Sequence, residues 1–370
     1  MRYIYHLSGW PNFRWQKDLI ATLLAGVRHR QGRLIGRMEG LGFDLRNEAV
    51  LTTLTDDVLK SSEIEGENLD VDQVRSSIAR RLGLDISGLI PADRDVEGVV
   101  EMMLDATQRY HAPLTEDRLF GWHASLFPTG RSGISKIAVG AWRDAKGGPM
   151  QVVSGSIGRE KVHFQALDSE RLGAEMAAFL VWFEEPSDLD AVLKAALAHL
   201  WFVTIHPFDD GNGRIARAIA DMALTRSEGS AQRFYSMSAE IRKRRKGYYE
   251  VLENTQKGDL DITPWLLWFL ECLDGAIARS EGVLQHIFAK SRFWEAHRNT
   301  SFNDRQRKML SKLLDGFQGR LTTSKWAKIT KCSQDTALRD IEGLIHLGVM
   351  EKEPGGGRST SYALVTLMNG

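Results

Sequence analysis

Apolar residues recur at helical spacing along most of the chain. Leu51, Leu54 and Val58 mark one face and lead into Ser61-Ser62-Glu63-Ile64-Glu65-Gly66, where the glycine is a natural helix stop. Val96, Val99, Met103 and Ala106 mark another face after Asp93, and Thr115 with Asp117 and Arg118 opens a further helix. Between Gly130 and Phe164 the pattern changes to glycines and short β-branched runs such as Gln151-Val152-Val153-Ser154, which predicts a β-hairpin. Helical patterns resume over 168–184 and 189–205; the second is nearly all apolar and is expected to be the buried central helix. Further helices are expected over 214–224, with Ile215, Ala218, Ile219 and Met222 on one face, and over 265–289. Three short helical patterns then precede Glu353-Pro354-Gly355-Gly356-Gly357-Arg358 between two β-prone runs, the order of a winged helix. The expectation is a mainly α fold in three parts: a helical region over 1–88, a core with one hairpin over 93–290, and a winged-helix-like domain over 295–370.

Composition narrows the class. A chain of 370 residues has room for two or three domains, and 43% hydrophobic with 26% charged residues is a globular rather than a disordered balance. A formal net charge of zero provides no global attraction to nucleic acid or an acidic membrane. Two cysteines, Cys272 and Cys332, argue against a disulfide framework and suit a reducing compartment. The opening residues lack a signal-peptide core, and the greasiest stretch, 195–208, is too short to span a membrane, so a cytoplasmic location is expected. His111, His123, His163 and His199 have no ligand spacing to one another, and none suggests zinc.

The candidate chemistry lies in His206-Pro207-Phe208-Asp209-Asp210-Gly211-Asn212-Gly213-Arg214-Ile215-Ala216-Arg217. An apolar helix ends at a histidine, which the following proline is expected to hold in an extended turn. Asp210 offers a hard oxygen to Mg²⁺. Gly211 and Gly213 let backbone N–H groups approach an anion at the start of the next helix. Arg214 and Arg217, three apart, both suit phosphate.

This stretch resembles the signature of the Fic family, His-Pro-Phe-x-Asp/Glu-Gly-Asn-Gly-Arg-x-x-Arg, at every defined position. The resemblance implies a protein adenylyltransferase that moves AMP from ATP to a Ser, Thr or Tyr hydroxyl. It implies His206 as general base, Asp210 as the Mg²⁺ ligand, Asn212 and Gly213 as anion hole, and Arg214 and Arg217 on the β- and γ-phosphates, with Gly211 in the same cradle. Glycine at 213, where phosphate-transferring relatives carry lysine, favours AMP transfer. Ser61-Ser62-Glu63-Ile64-Glu65-Gly66 is similar to the family's inhibitory pattern Ser/Thr-x-x-x-Glu-Gly/Asn, which implies that Glu65, one turn from Ser61, pairs with Arg217 and blocks productive ATP binding. Glu63 and Glu67 are its neighbours, and only Glu65 fits that pattern. Gln151, Val152, Val153 and Ser154, after Trp142-Arg143, fall where the family places a flap that docks the target by strand addition. Tyr248-Tyr249 resembles a pair lining the adenine pocket; Gln256 stands where an asparagine commonly follows.

Residues 291–370 hold thirteen Lys/Arg against eight Asp/Glu, a modest basic excess. Ser333 is placed to cap a recognition-type helix with Gln334, Thr336 and Arg339 exposed, and Lys325, Lys328 and Arg358 could touch phosphates. Asp335 and Asp340 on that helix weigh against DNA. The leading expectation is an autoinhibited adenylyltransferase using ATP and Mg²⁺ on an unidentified target protein, with self-modification and a homodimer left open. The alternatives are AMP removal at the same site and a nucleotide-sensing regulator that binds DNA through the C-terminal module.

Overall fold

The computed structural model describes the chain apart from residues 1, 85, 87, 147, 155–158, 160, 315, 316, 318, 355–359 and 366–370. The fold is mainly helical and divides into two compact units, Met1–Glu281 and Gly282–Gly370. The helices before residue 93 belong to the same unit as the core that follows them.

In the first unit α1 (Lys17–Glu39), α2 (Phe43–Ile64) and α3 (Val71–Arg81) precede α4 (Arg94–Gln108) and α5 (Glu116–Leu126). Thr115 caps α5 by accepting from the Arg118 N–H. Two antiparallel ladders follow: β1 (Arg131–Ser132) with β2 (Ser135–Lys136), and β3 (Gln151–Ser154) with β4 (Lys161–Gln165). The second ladder pairs Val152 with Phe164 and shifts register between Val152 and Val153.

Next come α6 (Leu172–Glu184), α7 (Ala191–Ile205), α8 (Asn212–Glu228), α9 (Met237–Lys243), α10 (Arg245–Lys257) and α11 (Thr263–Ala296). Helix α7 is buried nearly all round: Leu200, Phe202 and Ile205 are inaccessible or almost so. Each such side chain contributes about 1.5–3 kcal/mol, so α7 is a rigid axis for whatever its C-terminus presents. Its partner α8 buries Ile215, Ala218, Ile219 and Met222.

The second unit adds α12 (Asp304–Leu314), α13 (Thr323–Thr330), α14 (Gln334–His346) and the ladder of β5 (Met350–Lys352) with β6 (Tyr362–Leu364). Trp326, Met309, Leu310, Ile341 and Leu344 form its core. Ser333 caps α14 through the Thr336 N–H. Asp340, one of the two acids weighed against DNA above, is buried and accepts from Arg305 at 2.7 and 3.0 Å and from Asn303 at 2.9 Å, which leaves Asp335 as the exposed one. Gln334, Asp335 and Arg339 are exposed, Thr336 is half-buried, and Arg358 lies outside the described residues. Among the described residues, no helix is long and apolar enough to cross a membrane.

Candidate active site

Helix α7 ends at His206, whose backbone N–H still bonds Phe202 O at 3.0 Å. The extended turn expected before Pro207 is instead left-handed, with φ 54° and ψ 59°. That conformation costs a non-glycine residue about 1–3 kcal/mol, and Arg143 supplies the restraint. Its Nε donates to His206 O at 2.8 Å, its backbone N–H to Pro207 O at 2.9 Å, and a terminal nitrogen to Leu167 O at 2.5 Å. The guanidinium is buried. Sequence reasoning used Arg143 only to mark the approach to the flap; its hold on this turn was not legible there, because its partners are backbone carbonyls, which no side-chain pattern reports.

The His206 ring is fixed as well. Nδ1 lies 3.2 Å from Val203 O, and a carbonyl can only accept, so Nδ1 carries the proton. Burial, aided by the nearby Arg143 charge, pushes the imidazole down to about 4. The ring is therefore neutral at pH 7, and Nε2 keeps a lone pair to receive a proton.

The turn 207–211 is held closed from several sides. Asn212, buried at the start of α8, accepts from Phe208 N at 3.0 Å and donates to Phe208 O at 2.8 Å. The Asn212 side chain is thus spent on the loop, and what it leaves for an anion is backbone. The first-turn N–H groups of a helix have no intrahelical acceptors, and the helix dipole favours negative charge there. Asp209 accepts from Ala138 N at 2.9 Å. Asp210 accepts from Gly211 N at 2.6 Å and from the Ser132 hydroxyl on the β1–β2 hairpin. Ser132 went unnoticed in the sequence. Phe208 stacks on His123 at 4.2 Å between ring centroids. Among the described residues no group of three or more His, Cys, Asp or Glu could hold a metal. A single carboxylate and a hydroxyl match the sparse protein ligation of Mg²⁺, which takes its remaining oxygens from phosphate and water.

Both arginines of α8 are buried and paired. Arg217 donates Nε to Ser61 Oγ at 2.9 Å, and Nη2 to Ser61 O at 2.9 Å and Glu65 Oε1 at 2.7 Å. Glu65 caps the C-terminus of α2, and a Cβ on Gly213 would overlap its carboxylate. Arg214 donates Nη1 to Glu67 Oε2 at 2.6 Å and lies over the Phe127 ring.

The remaining expected residues separate. Tyr249 is partly exposed, with its hydroxyl 3.5 Å from Glu65 Oε2. Tyr248 is buried, its hydroxyl 2.8 Å from His199 Nε2, and Gln256 is buried against Thr204 Oγ1 at 3.2 Å. On the hairpin, Gln151, Val153 and Ser154 are exposed and Val152 is half-buried.

A model of the Fic/DOC family matches residues 113–224, which contain the whole turn and both arginines. The chain carries a Fic domain. A second model, described only as a domain of unknown function (DUF4172), matches residues 3–84. The arginines of these pairs therefore come from the Fic domain, and Ser61, Glu65 and Glu67 from the segment before it. Similar relatives include the protein adenylyltransferase Fic of Nematostella vectensis, 34% identical over 29% of this chain and 24% of that protein. Another is the uridine 5'-monophosphate transferase of Xanthomonas campestris pv. campestris, 34% identical over 31% of this chain and 22% of that protein. The chain thus spans about a quarter of these relatives' length. A Fic family protein from Desulfovibrio desulfuricans G20 has the same fold, with a TM-score of 0.52 at 21% identity over 94% of this chain and 95% of that one.

Proposed function

We propose that the chain is a protein adenylyltransferase that transfers AMP from ATP to a hydroxyl of a protein and is restrained by its own Glu65. The observation that carries this is the neutral His206, with Nε2 free, at the mouth of a helix start that also presents two buried arginines. In this reading Nε2 takes the proton of the acceptor hydroxyl as its oxygen attacks the α-phosphorus. The bond from that phosphorus to the bridging oxygen breaks, and pyrophosphate leaves. Arg214 and Arg217 hold the β- and γ-phosphates, and the N–H groups of Asn212 and Gly213 face the α-phosphate, so the chain contributes position and charge. Asp210, oriented by Ser132, would hold Mg²⁺, which neutralises the departing pyrophosphate when bound. The outer edge of β3, without a neighbouring strand among the described residues, suits an extended target segment.

Glu65 supports the restraint because it occupies Arg217 and the space over Gly213 that a phosphate would need. The Xanthomonas relative's name makes the donor base a point to test. Wild type, Glu65→Gly, His206→Ala and the double variant are incubated with α-labelled ATP or UTP and a cell extract. Strong protein labelling from ATP by Glu65→Gly, weak labelling by wild type and none with His206→Ala is the expected result. No label from Glu65→Gly with either nucleotide would sink the transferase reading, and label from UTP alone would reassign the donor.

A further inference from the structure

The two arginines are restrained differently. Arg217 donates three hydrogen bonds to Ser61 and Glu65, whereas Arg214 has one carboxylate partner, Glu67. We propose that Glu67 is a second inhibitory carboxylate, which occupies Arg214 and thereby selects against the triphosphate. This rests on the nucleotide site proposed above and assigns the specificity of that site to a residue outside the inhibitory pattern.

The backbone explains how two glutamates reach one helix. After α2 the chain reverses through Gly66 at φ +92°, a conformation that glycine adopts without strain. The Glu67 N–H returns to Ser62 O at 3.1 Å, closing the helix end. Glu65 and Glu67 flank that reversal, and each meets one of two arginines a helical turn apart on α8.

The arginines retain capacity for a ligand. Nε of Arg214 and Nη1 of Arg217 are buried and make no hydrogen bond among the described residues. A buried donor without a partner is costly, and phosphate oxygens are the acceptors a guanidinium fork suits. The Glu67 pair is also the more easily opened. Its arginine side chain is 3% exposed but its glutamate 47%, so water can solvate the carboxylate as it leaves. Burial and the nearby carboxylates of Asp210, Glu65 and Asp95 push Glu67 above the usual carboxylate range despite Arg214. Like charges thus crowd the lock from within.

With both carboxylates in place, the cations for the β- and γ-phosphates are engaged; Glu65 also crowds Gly213 at the α-phosphate end, whereas the Glu67 carboxylate pairs with Arg214. Glu67 should therefore discriminate between ATP and AMP. A partly exposed ion pair corresponds to about a three- to fivefold change in affinity.

The test is calorimetric titration of the full chain with ATP and with AMP, each with Mg²⁺, for wild type, Glu67→Gln, Glu67→Ala, Glu65→Gly and Glu65→Gly/Glu67→Gln. Both Glu67 variants should bind ATP about three- to fivefold more tightly with AMP affinity within twofold of wild type. The double variant should exceed Glu65→Gly by the same factor. An unchanged ATP-to-AMP ratio in both backgrounds overturns the role of Glu67 while leaving the site standing, provided Glu65→Gly still raises ATP affinity. If no variant binds ATP, the nucleotide site and this inference fall together. Melting temperatures near wild type certify that the variants are folded.

Discussion

At the residue scale the decisive group is not the histidine alone but the arginine behind it. His206 sits in a left-handed conformation that its own side chain disfavours, and Arg143 holds the carbonyls of His206 and Leu167 with one buried guanidinium. Replacing Arg143 by Gln strands at least one buried carbonyl, at about 1–3 kcal/mol each. It also lets the imidazole move, and displacement by an ångström can cost on the order of 100-fold in rate. A purely structural residue would stop there. Arg143 additionally lowers the His206 pKa, so its loss must raise it. In the Glu65→Gly background, kcat/KM reports the free enzyme, and the proposed mechanism needs neutral His206. The acid limb is expected near pH 4 with Arg143 present; loss of Glu65, whose carboxylate raises the imidazole, does not move it higher. With Arg143→Gln the limb should shift to higher pH. A rate loss with an unmoved limb would reduce Arg143 to packing.

At the scale of elements, the hairpin is tethered as well as paired. His163 on β4 lies 2.6 Å from Ser154 Oγ through Nε2 and 2.7 Å from Glu253 Oε2 on α10 through Nδ1. A hydrogen bond from Lys257, and then that from His163, holds Glu253 down to about 2, so the tether is charged on the α10 side at any working pH. Glu253→Gln should quicken amide exchange across β3 and β4 by up to about fivefold, the scale of an exposed ion pair, as hydrogen-exchange mass spectrometry would read. Unchanged exchange would assign the hairpin's position to its other anchors, the Tyr5 hydroxyl on Gln165 O at 2.7 Å and Phe164, which packs edge-on against Tyr3 at 5.1 Å. The same scale shows what the sequence can and cannot disclose. The succession of α7, turn and α8 was legible because apolar periodicity, proline and glycines act on near neighbours. The partners that complete the site were not: Glu67 is 147 positions from Arg214, Ser132 is 78 from Asp210, and Arg143 is 63 from His206. No local period carries such pairings. Ser61 and Glu65 could be singled out only by resemblance, and Tyr248 and Tyr249, adjacent in sequence, part company because one ring turns to His199 and the other to Glu65.

At the scale of the whole molecule, protons reach the fold through histidines that the first unit keeps neutral. Burial pushes His199 down to about 3 and His123 down to about 4, and both side chains are almost inaccessible. Unfolded, each would titrate near 6.5. Below that value the unfolded chain binds protons that the native fold refuses, so stability is full above about pH 6.5 and declines as the pH falls toward 4. By pH 5 the cost is about 2 kcal/mol for each histidine. Asp221 and Glu228 work in the opposite sense, because burial raises both and the native fold takes up their protons early. The net slope of the wild type is therefore a difference, and a single substitution isolates one contribution. His199→Gln removes its proton but also its contact with Tyr248, so the variant should be the less stable at pH 7. Between pH 7 and 5 the gap should narrow by about 2 kcal/mol, because only the wild type then has a histidine at position 199 to protonate on unfolding, while His123 contributes equally to both proteins. Urea titrations of the larger unit's transition at the two pH values measure this directly. A gap that stays constant would mean that His199 accepts its proton within the native fold, and that the core around α7 is wetter than its burial implies.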